Sequence, residues 1–402
     1  MRGSIRKRGR NSWEITLDVG STPDGRRRRV YETVRGTKRA AEARLHELVA
    51  ALGKGYYPPS ERLTLKQYLE RWLRDYVRPS LSPKTSEGYE HICQHHLVPN
   101  LGSIKLSDLR PEHLQHYYSE KLSSGLSAQT VRHHHMLIHK ALETAVQWGL
   151  LARNVADAVT PPRASTKEMQ TWNEDEVITF LEAARATPYY ALFHTLFFTG
   201  MRRNEALAVR WCDVDLVLGQ LYVSRTLHVL KGGQIIFRQP KSGKGRMIAL
   251  SPLTVTVLRE HWGKQAFERS VLGTVLTGDD LVFSHPDGTP LLPTTVTHAW
   301  TKLVRRTGLK PIRLHDARHT HATILLKLGV HPRIVQERLG HSSIQITLDT
   351  YSHVVPGLQE AAAARFDQAF TTRYNQQRTE ASRQNVGSLS AIVEVMSTKS
   401  QN

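Results

Sequence analysis

Apolar residues alternate at the strand period through Trp13, Ile15, Leu17 and Val19, and the run stops at a Pro23-Asp24-Gly25 turn. A returning strand from Arg26 to Val34 makes this a hairpin, after which Thr37 is placed to cap a helix with the stripe Ala41, Leu45, Leu48, Val49, Leu52. Residues 1–55 therefore read as a small sheet-and-helix domain. Past Tyr57-Pro58-Pro59-Ser60 the pattern turns helical. Leu65, Leu69, Trp72, Leu73 and Tyr76 form one stripe, and Ser82-Pro83-Lys84 opens a second helix. Pro111 stands at the first position of a third, and Ser127 caps a fourth through Val131, Ile138, Leu142 and Ala145. This four-helix module, residues 62–160, ends at the linker Thr160-Pro161-Pro162-Arg163. Residues 168–370 mix both periods: short strands at Leu221–Thr226, Gln234–Gln239 and Arg246–Leu250, helices over 252–272 and 293–307, and mostly helix from Leu314 to Ala364. Residues 371–402 are polar apart from Leu389–Met396 and read as a mobile tail with one short docking segment. The fold expected is a multidomain α+β chain.

Charge narrows the partner. Across 402 residues, 55 Lys and Arg against 36 Asp and Glu leave a net +19, which points to a polyanion: nucleic acid first, an anionic membrane surface second. No stretch approaches 18 apolar residues, and the basic start, Arg2 to Arg10, is followed by no apolar segment, so neither a membrane span nor a standard secretion signal is expected. Two distant cysteines, Cys93 and Cys212, fit a reducing cytoplasm and supply no disulfide or thiolate-zinc framework. Residues 1–55 alone hold 14 basic and 6 acidic side chains. The Arg26-Arg27-Arg28-Arg29 run reads either as a solvated turn or as the basic rim of a sheet laid in the DNA major groove.

The chemistry concentrates in the third segment. Thr199-Gly200-Met201-Arg202-Arg203-Asn204-Glu205 interrupts an apolar helix at the glycine and restarts, putting Arg202 at a helix N-terminus, where a cation is misplaced unless an anion binds there. Glu205 is spaced to brace its guanidinium. Leu314-His315-Asp316-Ala317-Arg318-His319 opens another helix, and a spacing of three sets His315 and Arg318 on one face. Leu339-Gly340-His341-Ser342-Ser343 reads as a helix stop and a new cap, followed by Ile344, Leu348 and Tyr351 at i, i+4, i+7. Periodicity by itself would make Tyr351 the aromatic end of a core stripe. Arginines, histidines and a tyrosine in a basic chain also make a kit for phosphodiester chemistry without a metal. Arginines stabilise a pentavalent phosphorane, the tyrosine attacks once a histidine helps remove its proton, and a cation protonates the departing alkoxide. Lys241, in Pro240-Lys241-Ser242-Gly243-Lys244-Gly245 at the turn between two expected strands, is the candidate acid, with Lys244 as competitor.

These stretches resemble the tyrosine recombinases of the phage integrase type, most specifically TGMRRNEALAVRW at 199–211, LHDARHTHA at 314–322 and LGHSSIQITLDTYSHV at 339–354. The resemblance covers nearly the whole chain. It implies an arm-type DNA-binding domain at 1–55, a helical core-binding, SAM-like domain at 62–160, and a mainly α catalytic domain at 168–370. It implies an active site of Arg202, Lys241, His315, Arg318, His341 and Tyr351, supported by Glu205. In it, Tyr351 forms a 3′-phosphotyrosyl link, Arg202 and Arg318 hold the nonbridging oxygens with His341, His315 is base to Tyr351, and Lys241 is acid to the leaving oxygen. No cofactor is needed, because the link conserves the bond energy. Partners implied are double-stranded DNA at core-type and arm-type attachment sites, a homotetramer assembled on that DNA, and an excisionase or directionality factor and a host DNA-bending protein, in a bacterial cytoplasm. A helix near Leu358–Phe370, or the tail, would dock on a neighbouring protomer. Candidate DNA contacts are Arg26, Arg27, Arg28, Arg29, Lys84, Arg132 and His134.

Other readings are weaker. In a helix the three residues His133-His134-His135 are about 100° apart and cannot converge on one ion, and neither His135 with His139 nor His91 with His95 makes an H-E-x-x-H, so no metal is expected. Asp213 with Asp215 and Asp279 with Asp280 are local pairs without a third carboxylate, unlike a two-metal nuclease. A type IB topoisomerase shares the chemistry without needing a partner site, and a non-catalytic DNA-binding regulator would leave the six-residue set without a purpose.

Overall fold

The computed structural model describes residues 3–21, 27–53, 63–164, 169–240, 243, 245–351, 363–368 and 370–371. The chain divides into two compact units, Met1–Lys167 with Leu230–Gln234, and Glu168–Val229 with Ile235–Asn402.

In the first unit, β1 (Gly3–Gly9), β2 (Ser12–Ser21) and β3 (Arg27–Arg35) form an antiparallel sheet in sequence order, covered by α1 (Lys38–Gly53). Alternation on β2 turns Ile15 and Leu17 inward, where with Leu48 they make a small core against Ile5, Val30, Val34, Leu45 and Val49. Thr37 accepts the Ala40 N–H at 3.3 Å, the cap its position foretold. Strand β1 had no apolar alternation to announce it: Ile5, opposite Ile15, is its one inward aliphatic among basic residues.

A second core in this unit is helical. Its main members are α2 (Leu65–Trp72), α3 (Pro83–Ile92), α4 (Pro111–Ser123) and α5 (Ala128–Gln147). Thr64, Ser82 and Ser127 each cap by accepting from a backbone N–H three residues on. Both α2 and α3 widen into a π turn, Leu73–Val77 and Cys93–Leu97, and each turn is followed within two residues by a proline, Pro79 or Pro99, whose missing N–H the wider spacing accommodates. Trp72, Tyr68, Tyr117 and Tyr118 are buried with the aliphatic stripes.

The second unit is built around stacked aromatics. From α6 (Glu174–Ala184), α7 (Tyr190–Thr199) and, later in the chain, the helix Pro293–Thr307 come Phe180, Phe193, Phe197 and Trp300; the three phenylalanines each lie 4.4–5.6 Å from Trp300 between centroids, with Trp172 stacked on Trp300. Burying each such ring stabilises by about 2–3 kcal/mol, so this cluster is the rigid base of the unit. After α8 (Arg203–Ala206) come β4 (Val214–Asp215), β5 (Gln220–Val223), β6 (Thr226–Val229), β7 (Ile235–Arg238) and β8 (Arg246–Ala249). Then follow α9 (Pro252–Val271), α10 (Pro293–Thr307), α11 (Asp316–Lys327), α12 (Pro332–Leu339) and α13 (Ile344–Tyr351).

The strand pairing differs from the expected hairpin around Lys241. Strand β8 pairs with β5 in a sheet ordered β4-β5-β8, whereas β7 pairs with β6. The segment expected as one strand, Leu221–Thr226, is broken in two at Ser224-Arg225, where Ser224 Oγ bonds Asp213 at 3.2 Å and Arg225 Nε donates to the Ala208 carbonyl at 3.2 Å. Each half then finds its own partner, and residues 239–245 connect two sheets instead of closing a hairpin. Lys241 and Lys244 lie outside the described residues, as do residues 352–362, 369 and 372–402, so the expected tail and most of the expected docking helix are not described. Among the described residues no helix is long and apolar enough to cross a membrane.

Candidate active site

Helix α7 is apolar on every side and ends at Gly200, whose φ of +65° is the left-handed cap a glycine adopts at little cost. A Cβ there would come within 2.6 Å of His321 Cδ2 and Leu339 Cδ2, so α11 and α12 close onto bare backbone. The turn that follows is stiffened by Glu205. Its carboxylate accepts from the Arg202 backbone N–H and the Arg202 guanidinium, both at 2.9 Å. The restart expected over Ala206–Val209 is in fact the single turn of α8, with Arg202 as its N-cap.

Glu205 has a second partner that sequence inspection missed. Arg246 on β8 forks onto both carboxylate oxygens at 3.1 and 2.7 Å, and its Nε donates to the Arg338 carbonyl at 3.0 Å. Burial would raise the Glu205 pKa, but the hydrogen bond and charge of Arg246, with Arg202 behind them, outweigh it and hold it at about 2. One buried carboxylate thus ties the Arg202 turn to β8 and to the end of α12, and holds the Arg202 guanidinium by one edge while that side chain stays 43% exposed. Arg246 also lies under Gly340, the left-handed C-cap of α12, where a Cβ would meet its guanidinium at 3.0 Å.

Helix α11 begins at Asp316, clamped by the Arg313 backbone and fork at 2.7–3.1 Å. One turn in, Arg318 is 3% exposed; its Nη1 donates to the Gly200 carbonyl at 2.8 Å, while Nη2, equally buried, has no partner among the described residues. Desolvation, reinforced by the Arg202 charge, brings its pKa down to about 9. An enclosed guanidinium with an unpaired edge is costly unless an anion completes it.

Tyr351 closes α13 and is fully buried, packed with Ala322, Leu326, Val335 and Leu339. The expected stripe is otherwise displaced: Leu348 is 39% exposed, and the inward neighbour of Tyr351 is Thr347. Burial raises the Tyr351 pKa to about 12, and the charges of Arg318 and Arg202 oppose the rise. His341 Nδ1 lies 2.9 Å from the Thr347 hydroxyl. A proton donated by that hydroxyl leaves Nε2–H free to donate elsewhere.

The resemblance makes His315 the base to Tyr351. The ring nitrogen beside the Tyr351 hydroxyl is His319 Nδ1, at 2.8 Å, not His315. His315, at the exposed start of α11, meets the His319 ring edge-on at 5.1 Å between centroids. That role for His315 comes from the resemblance, spacing having shown only that it shares a helix face with Arg318; the path of α13, which no local pattern encodes, decides which histidine Tyr351 reaches.

The proposed DNA contacts fare unevenly. His134 is 1% exposed, bonded to the Tyr117 hydroxyl at 2.9 Å with its ring against His96, so it is a core residue and not the surface DNA contact expected. The signal was present: Val131, His134, Ile138 and Ala141 follow the helical apolar spacing. Its neighbours diverge, His133 to Gln129 and His135 to Tyr118, which leaves no shared point for an ion. Arg29, Arg132 and Lys84 are exposed, the last paired with Glu87 at 3.0 Å. Arg26 is outside the described residues, and the side chains of Arg27 and Arg28 are not described.

Residues 170–356 match the model of the phage integrase family, and residues 64–122 match that of the phage integrase N-terminal SAM-like domain. A tyrosine recombinase XerC-like protein of Caldanaerobacter subterraneus is 28% identical over 90% of this chain and 98% of its own length. The ICEBs1 integrase of Bacillus subtilis is 28% identical over 71% and 78%. Among solved structures, the Tn1549 transposon integrase in complex with a circular intermediate DNA superposes with a TM-score of 0.65 at 20% identity, covering 76% of this chain and 99% of that one. A lambda integrase tetramer bound to a Holliday junction gives 0.53 at 17%, covering 84% and 95%. With a SAM-like module and an integrase domain both matched along one polypeptide, the chain belongs to the phage integrase family of tyrosine recombinases.

Proposed function

We propose that the protein is a site-specific recombinase that integrates and excises a phage or other mobile element, cutting and rejoining DNA through a 3′-phosphotyrosyl intermediate on Tyr351. The observation that carries this reading is the buried Nη2 of Arg318, without a partner among the described residues and close enough to Tyr351 that its charge acts on the hydroxyl. A scissile phosphate supplies the missing acceptor. Arg202 and Arg318 then hold the nonbridging oxygens and stabilise the phosphorane, with His341 Nε2–H as a third donor and His315 lining the entrance. Glu205 and Arg246 are positioning residues that keep Arg202 aimed. Lys241 is the acid that protonates the 5′-oxygen, and a 5′-hydroxyl of the partner duplex reverses the step.

Partners follow from the same reading: duplex DNA at a core site for the helical module and second unit, and at a distal arm site for the basic sheet. Four protomers assemble on two duplexes, in keeping with the lambda integrase tetramer on a Holliday junction. A directionality factor and a host bending protein complete the assembly in the bacterial cytoplasm.

The test is covalent trapping on a nicked core-site duplex, with the site taken from the direct repeats that flank the element. The unaltered protein should yield a protein–DNA adduct resistant to denaturant, and Tyr351→Phe none. An adduct persisting in Tyr351→Phe overturns the nucleophile. For the acid, a 5′-bridging thiolate leaving group should restore cleavage to Lys241→Ala; restoration of Lys244→Ala instead moves the role to that residue.

A further inference from the structure

We propose that His319 is the base that receives the Tyr351 proton during attack, an inference that rests on Tyr351 being the nucleophile. Arg318 and His319 are adjacent on α11, so their side chains leave the helix about 100° apart. Arg318 turns to the Gly200 carbonyl and His319 to the end of α13, where its Nδ1 stands 2.8 Å from the Tyr351 oxygen. That is hydrogen-bond distance to the atom that must lose a proton, the first requirement of a general base. Tyr351 itself is fully buried and held by its packing, so the pair is a fixed element of the fold and not a chance surface contact.

The step balances. With Nε2 carrying its proton, Nδ1 accepts the hydrogen bond from the hydroxyl. As the tyrosyl oxygen bonds to phosphorus, its O–H bond breaks toward Nδ1, and the P–O5′ bond breaks with its electron pair going to O5′, which takes a proton from the acid. Rejoining runs the same path backward, and His319 returns the proton to Tyr351.

The surroundings keep this ring unprotonated in the free protein. Desolvation, then the neighbouring His315, keep the His319 pKa near 4 in the free protein. The groups acting on it are His315, Asp316, Arg318 and Arg313 from its own helix and lead-in, Tyr351 from α13, and His341 from the turn between α12 and α13. A phosphodiester bound to Arg318 offsets the nearest cation and raises the affinity of His319 for a proton when one must be taken.

The experiment is single-turnover adduct formation by the full-length protein on the nicked core-site duplex, across pH, with DNA affinity measured in parallel. His319→Asn and His319→Gln keep a hydrogen-bonding side chain but cannot act as base. Both should slow adduct formation by roughly 100-fold or more with DNA affinity retained, and should lose the fall in rate toward low pH that the unaltered protein shows. His315→Asn should keep that fall. A 5′-thiolate leaving group needs no acid, so it should leave both His319 variants slow while it restores Lys241→Ala. Near-normal rates in both His319 variants, loss of the low-pH fall in His315→Asn, or rescue of His319→Asn by the thiolate would each overturn the proposal. An adduct in Tyr351→Phe would instead remove the reading beneath it.

Discussion

Glu205 shows how much one side chain decides here. Its carboxylate accepts two bonds from Arg202 and two from Arg246 while almost wholly buried, so its ionisation is worth far more in the folded chain than in the unfolded one. With its pKa lowered from 4.5 to about 2, the stability it contributes is complete above about pH 4.5 and is lost as pH falls toward 2. The shift corresponds to about 3 kcal/mol. Glu205→Gln should therefore lower stability near neutrality by roughly 3–5 kcal/mol, since two guanidinium groups lose their counter-charge, and should erase that part of the acid limb. Urea unfolding followed from pH 7 to pH 2 checks both. Arg202 and Glu205 were visible as a pair at i and i+3. Arg246 was not, because its only relation to them is across 41 residues of chain. His134 is the converse case: its local spacing marks it as core, and it is buried against Tyr117 although its neighbours on the helix are basic and exposed.

At the level of elements, caps and stripes transferred well from sequence, and partners did not. Thr37, Ser82, Ser127, Pro111 and the stops at Gly200 and Gly340 all lie where residue type alone put them. Strand pairing and the orientation of α13 differ from the expected ones, since four-residue strands and an eight-residue helix contain too few positions to say which face meets the core. Two substitutions separate the cases. Leu348→Ala, on the exposed face of α13, should change stability by no more than roughly 0.5 kcal/mol, whereas Leu339→Ala, fully buried beside Tyr351, should cost about 2–5 kcal/mol. Gly200→Ala strains a φ of +65° and drives a methyl to 2.6 Å from His321 and Leu339. It should cost about 2 kcal/mol or more and, by shifting the carbonyl that anchors Arg318, slow covalent adduct formation. Thermal melts of the three variants rank these effects.

Over the whole molecule, the net charge of +19 and the buried histidines set how the protein responds to its solution. Burial is the leading cause that lowers the pKa of His134, His194, His319 and His341 to about 4 and of His321 to about 3. Groups depressed in this way favour the folded state fully above their ordinary 6.5 and withdraw that support as pH drops below it. The melting temperature should begin to fall below about pH 6.5, well before any carboxylate titrates, and calorimetry between pH 8 and pH 4 would reveal it. Removing residues 1–55, which hold 14 basic side chains, should flatten the salt dependence of binding to DNA that carries an arm site, by about 0.9 in log–log slope for each phosphate that the shortened protein no longer neutralises. What the sequence determined by itself was the kind of chemistry and the residue types at each cap, because periodicity and motif spacing act over a few turns at most. Only the tertiary structure decided that Arg246 joins Glu205, that one buried edge of Arg318 has no partner among the described residues, and that His319 instead of His315 meets Tyr351. Each of those arrangements is set by where separate elements pack against one another, and packing depends on the whole core, not on any local stretch of chain.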